Sequence, residues 1–136
     1  MTALTFIIPA LLCGPLTKTK PGKVRKPDAL RVVGYYTKGK RRDFSPRAKQ
    51  YDAWKTHVAR QTQALALPVT GPGRPVRVDV WCYFPSGIHP DPENVRKGIV
   101  DALYPGGDKF VFGYHHHPLY DKQQPRVLVE ISEVKA

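Results

Sequence analysis

The chain has 136 residues, with 22 Lys and Arg against 11 Asp and Glu and a formal net charge of +11. That length holds one domain, residues 1–136, with a modest core, and the charge suits a phosphate-rich partner. Two cysteines, Cys13 and Cys82, exclude a disulfide framework and no CxxC pairing marks a structural zinc, so a reducing, cytoplasmic setting is expected.

The charge is unevenly spread. Residues 1–50 carry twelve basic and two acidic side chains, and residues 51–136 carry ten and nine. In chain order, the apolar run Leu4–Cys13 lacks a basic leader, contains Pro9 and is too short to span a bilayer. It reads as a first strand, Thr5–Ile8, entering a turn. Residues 14–30 hold Pro15, Pro21, Gly22 and Pro27 among basic residues, which is loop chemistry. Arg31–Thr37, β-branched and aromatic, reads as a second strand, and 38–44 as a basic connector. Ser45-Pro46 is a helix start, and Tyr51, Trp54, Val58, Thr62 and Leu65 continue at the spacing of a buried helical face to about Ala66. Val76, Val78, Val80, Cys82 and Phe84 alternate with Arg77, Asp79, Trp81 and Tyr83, the pattern of a long central strand. A helix over 92–103 and strands over 108–117 and 126–133 complete the order ββαβαββ. That order implies an α+β fold, a mixed β-sheet with two main helices packed on it.

The segment that opens the second helix, His89-Pro90-Asp91-Pro92-Glu93-Asn94-Val95-Arg96-Lys97, sets acids at one point of a cationic chain. Taken alone it is an ordinary helix start: Asp91 caps, Pro92 takes the first position and Glu93 answers the dipole. Val95, Ile99, Ala102 and Leu103 share an apolar face, with Val100 at its margin. Glu93, Asn94, Lys97 and Asp101 share a polar arc on which Glu93–Lys97 and Lys97–Asp101 pairs stand at i,i+4. His115-His116-His117 mimics a metal cluster, but strand neighbours point to opposite faces and no HxxxH or Cys/His partner completes a zinc set. The aromatics Tyr35, Tyr36, Tyr51, Trp54, Trp81 and Tyr83 read mainly as core, with Tyr35 and Tyr36, beside the basic connector, as candidates for base stacking.

Joined to the residues C-terminal to it, the segment resembles the RusA family of Holliday-junction resolvases. Asp91-Pro92-Glu93-Asn94 matches the family's Asp-x-Asp-Asn motif, Lys97 its helix lysine, and Asp101-Ala102-Leu103 a recurring triplet. Asp108 matches the second acid of an Asp-Asp pair, and Pro125–Ile131 matches the closing strand. Three positions depart from the pattern. Glu93 replaces an aspartate and reaches about 1.5 Å further, Gly107 stands where the first acid of the pair is expected, and Phe110-Val111 replaces Gln-Val.

The resemblance implies a dimeric, magnesium-dependent endonuclease that resolves Holliday junctions or related branched DNA, phage-encoded or bacterial. On that reading Asp91, Glu93 and Asp108 hold Mg²⁺ (Mn²⁺ as an alternative) and Lys97 stabilises developing charge. Lys18, Lys20, Lys23, Arg25, Lys38, Lys40, Arg41 and Arg42 engage the DNA arms. The partners expected are branched DNA and a second copy of the chain, with no membrane. Two rivals stand beside it: a junction-binding protein of the same fold that no longer cuts, and an unrelated basic binding domain whose Asp-Pro-Glu is only a cap. If phosphate contacts dominate binding, the logarithm of affinity for junction DNA falls linearly with the logarithm of salt concentration. The slope is about −0.9 per phosphate neutralised, measurable by fluorescence anisotropy, and a salt-insensitive affinity contradicts it.

Overall fold

The structure, a computed structural model, describes residues 3–17, 19–37, 44–106 and 108–134. Its strands are β1 (Leu4–Pro9), β2 (Leu11–Cys13), β3 (Ala29–Arg31), β4 (Val76–Phe84), β5 (Val111–Phe112), β6 (Leu119–Tyr120) and β7 (Arg126–Glu133); its helices are α1 (Pro46–Thr62) and α2 (Pro92–Leu103). The larger sheet runs β1-β7-β4-β5, with β6 also on β4, and β2 and β3 form a separate antiparallel pair. It is a mixed sheet, because β7 pairs β1 and β4 antiparallel while β5 and β6 lie parallel to β4. This is the α+β class expected.

The core forms because β4 and β7 alternate. Val76, Val78, Val80, Cys82 and Phe84 of β4 and Val127, Val129 and Ile131 of β7 are all fully buried on one face. The helices complete that core with Tyr51, Trp54 and Val58 from α1 and Val95, Ile99 and Val100 from α2. Burial pushes the Cys82 thiol up to about 12, which leaves it protonated and unreactive in the core. The opposite face carries Arg77, Trp81 and Tyr83, only partly covered.

Both helix starts follow their sequence signals. The Ser45 hydroxyl accepts the Ala48 N–H (3.2 Å) with Pro46 at the first position, and the Asp91 carboxylate accepts the Glu93 N–H (2.9 Å) with Pro92 at the first position. Gly98 sits inside α2 because the helix packs closely there. A Cβ would stand 3.1 Å from the Tyr51 ring and 3.4 Å from the Tyr35 backbone nitrogen.

Three sequence expectations change. Of the strand expected over 31–37 only Arg31 pairs, in β3. Val32 and Val33 are buried instead as irregular chain, and the Tyr35 N–H donates to the Asn94 carbonyl of α2 (2.9 Å), so these apolar residues serve packing rather than a ladder. Helix α1 stops at Thr62, whose hydroxyl donates back to the Val58 carbonyl (2.9 Å), so Leu65 and Ala66 lie beyond it. The strand expected over 108–117 is a 3₁₀ turn, Asp108–Phe110, then two-residue β5, then an isolated bridge from His115 to Val80.

Ile99 is fully buried between α2 and the sheet. Ile99→Ala is expected to lower unfolding free energy by about 2–5 kcal/mol, read from the shift in urea midpoint at constant slope.

Candidate active site

The polar stripe of α2 faces a cleft of about 310 Å³, lined by Tyr35, Glu93, Arg96, Lys97, Val100, Asp101, Asp108 and Val111. Five of these recur at i, i+3, i+4, i+7 and i+8 along α2, so one side of one helix builds most of the wall. The turn Asp108–Phe110 and the start of β5 build the facing wall, held by parallel pairing of Val111 to Val76 and by the Thr70 hydroxyl donating to the Phe110 carbonyl (3.4 Å).

Of the four residues that carry the expected chemistry, the structure brings Glu93, Lys97 and Asp108 to this cleft. Asp91 stands at the start of α2, outside the lining, with one oxygen engaged in the cap. Among the described residues, no group of three His, Cys, Asp or Glu side chains stands close enough to hold a metal ion. Lys20, Lys23 and Arg25 lie in the exposed loop before β3, where Arg25 pairs with Asp28 at 3.0 Å. Lys18, Lys38, Lys40, Arg41 and Arg42 lie outside the described residues. His116 stacks on Trp81, with ring centroids 4.3 Å apart.

Lys97 departs from the simple i,i+4 picture. Its ammonium lies over the Tyr35 ring, 4.3 Å from the centroid, and among the described residues no carboxylate pairs with it. Asp101 instead accepts the Tyr51 hydroxyl (2.8 Å) and the Lys55 ammonium (3.2 Å). Burial alone would raise the Asp101 carboxyl. The Tyr51 hydrogen bond, Lys55 and the nearby Lys97 outweigh it and hold the group below its ordinary range. Burial and the hydrogen bond to Asp101 push the Tyr51 hydroxyl up. The cationic head of Lys97 thus stays at the cleft, oriented by an aromatic face rather than neutralised by a partner.

Sequence reading missed Arg96 and Asp79. Arg96 lines the cleft, and its Nε donates to the Val78 carbonyl (2.9 Å). Burial lowers its pKa while the Asp79 charge opposes that. Asp79 is 8% exposed; it accepts the Tyr114 N–H (2.8 Å) and Arg77 Nε (3.0 Å). The signal for Arg96 lay in the i+3 spacing from Glu93. Nothing in the sequence singled out Asp79, which alternation assigns to the open face.

The carboxylates of Glu93 and Asp108 make no hydrogen bond or ion pair among the described residues, and both face a cleft that also holds a lysine and an arginine. Hard oxygen donors beside cations are what a divalent ion and a phosphate together require, so the donor set fits such an ion by its chemistry. The family comparison agrees. A family model described as Endodeoxyribonuclease RusA matches residues 17–132, and the chain belongs to the RusA family of DNA-cleaving, junction-resolving nucleases, which depend in general on divalent metals. A search of curated proteins returned no match. No helix among the described residues is long and apolar enough to cross a membrane.

Because the Asp101 carboxyl is held below its ordinary pKa in the folded state, its contribution to stability is complete above about pH 4. It is lost as pH falls through the lowered value. Asp101→Asn is expected to cost about 0.2–1 kcal/mol at neutral pH, allowing for solvent screening. Thermal melts between pH 7 and pH 3 should show that difference constant down to about pH 4 and shrinking below it.

Proposed function

We propose that this chain is a single-domain, Mg²⁺-dependent endonuclease that resolves four-way or related branched DNA as an intracellular homodimer. The observation that carries the reading is a pair of carboxylates without partners among the described residues: Glu93, beside Arg96 and Lys97 on α2, and Asp108 on the opposite wall of the same cleft, in a RusA-family chain. Glu93 and Asp108 would hold the ion, with Asp91 contributing from the head of α2. Water and phosphate oxygens fill the positions that a few carboxylates leave open. What a bound divalent ion supplies is polarisation of the phosphodiester and a better nucleophile from water. Lys97, kept off the carboxylates by Tyr35, reaches the phosphate and offsets the charge that builds on its oxygens during in-line displacement. The exposed Lys20, Lys23 and Arg25, with Lys18, Lys38, Lys40, Arg41 and Arg42, grip the DNA arms through phosphates, by shape rather than sequence.

The rival reading, a junction binder that does not cut, draws on one observation: Asp91 is engaged as a helix cap and lies outside the cleft lining. The two readings separate on synthetic four-way junctions with Mg²⁺ or Mn²⁺. The nuclease reading expects paired nicks in wild type, more than about 100-fold slower cutting in Asp108→Asn and Glu93→Gln, and retained junction binding in both. Asp91→Asn keeps the cap acceptor and removes the charge. If Asp91 holds the ion, cutting falls at an unchanged melting temperature, and a variant that cuts like wild type confines Asp91 to capping. Tight binding by wild type with no nicking at any metal concentration establishes the rival.

A further inference from the structure

Residues 111–116 run beside β4, and their parallel ladder is interrupted at one place; further on the register slips by one residue before β6 sets Leu119 opposite Tyr83. Arg77 lies opposite Phe112 and Val80 opposite His115, so the register is the same on both sides of the gap. Around Val80 the ladder is regular: its N–H donates to the Tyr114 carbonyl (3.0 Å) and its carbonyl accepts the His116 N–H (3.1 Å). Parallel alternation then calls for one more bond, from the Tyr114 N–H to the Val78 carbonyl. That bond is missing, and each half of it is taken by a side chain. The Val78 carbonyl accepts Arg96 Nε (2.9 Å), and the Tyr114 N–H donates to Asp79 Oδ1 (2.8 Å). Gly113 stands opposite Val78 with φ 131°. A Cβ there would fall 2.1 Å from the Val78 oxygen, so only glycine fits.

This exchange is costly. A neutral backbone bond needs no buried charge, whereas the substitute places a guanidinium and a carboxylate inside and leaves Arg96 Nη2 buried without a partner among the described residues. What it achieves is mechanical. Arg96 lies on α2 between Glu93 and Lys97 and ties that stripe to β4, while Asp79 ties to β4 the segment that begins with Asp108. Apart from these anchors, the stretch before Gly113 is held by the two-residue β5 and a 3.4 Å bond from Thr70.

We propose that Arg96 and Asp79 are positioning residues for the divalent-ion site: by dividing one ladder bond between them they set the separation of Glu93 and Asp108. The inference rests on the nuclease reading above. Its test uses Mn²⁺ uptake by the free protein, read by electron paramagnetic resonance, beside urea denaturation and cleavage kinetics. Arg96→Met and Asp79→Leu are each expected to weaken Mn²⁺ binding by about 10–100-fold and to lower kcat, with metal-free junction affinity near wild type for Asp79→Leu. Asp79→Asn keeps an acceptor for the Tyr114 N–H and is expected to retain much of the affinity that Asp79→Leu loses.

The double variant Arg96→Met/Asp79→Leu frees both halves of the ladder bond to meet. It is expected to be less destabilised than the sum of its parts while its Mn²⁺ affinity stays low. A purely structural role predicts the opposite coupling, with Mn²⁺ binding recovering alongside stability. Folded variants that bind Mn²⁺ and cut like wild type overturn the inference alone. Wild type that takes up no Mn²⁺ and nicks nothing overturns the nuclease reading, and the inference with it.

Discussion

Strand β4 is the constraint on which the rest of the molecule depends. It is paired along its length by β7 on one side and in short stretches by β5 and β6 on the other. Five of its nine residues are fully buried against the helices. At about 1.5–3 kcal/mol for each large apolar side chain removed from water, that one row anchors the core. Because β4 is fixed, its exit fixes the head of α2, and its edge fixes the returning segment. The two cleft carboxylates are carried by those two elements, so their relation is set by how each attaches to the same strand.

Electrostatics then divides the work. A chain with net charge +11 draws a polyanion toward it, and most of the excess lies in the first fifty residues. Against that background a carboxylate facing a cleft is unfavourable for phosphate unless a cation stands between them. The molecule places Glu93 and Asp108 there without partners among the described residues, while it neutralises Asp101, Asp121 and Asp79 with Lys55, Arg126 and Arg77. What marks the cleft is that two such acids stand there together, beside Lys97 and Arg96.

Much of this was legible before any coordinates. The caps and first-turn prolines of both helices, the valine alternation of β4 and the acids of the α2 motif are local signals, carried by neighbours in the chain. Less legible were the segments whose partners are remote. Val32, Val33 and Tyr35 have the composition of a strand, yet they pack beneath α2, because burial rewards an apolar side chain whether or not its backbone joins a sheet. The stretch after Asp108 looked like continuous strand, and it breaks where Gly113 meets Val78.

The amino-acid sequence by itself determined the class of fold, the two helices, the central strand and the family motif, since each rests on periodicity or spacing within a few residues. Tertiary structure alone decided that Asp101 belongs to Tyr51 and Lys55 rather than to Lys97, that Asp91 lies outside the cleft lining, and that Arg96 and Asp79 stand in for a backbone bond. The physical reason is common to all three. A charged side chain takes whichever partner the packed elements bring within about 3 Å, and neither helical nor strand periodicity records which element stands opposite.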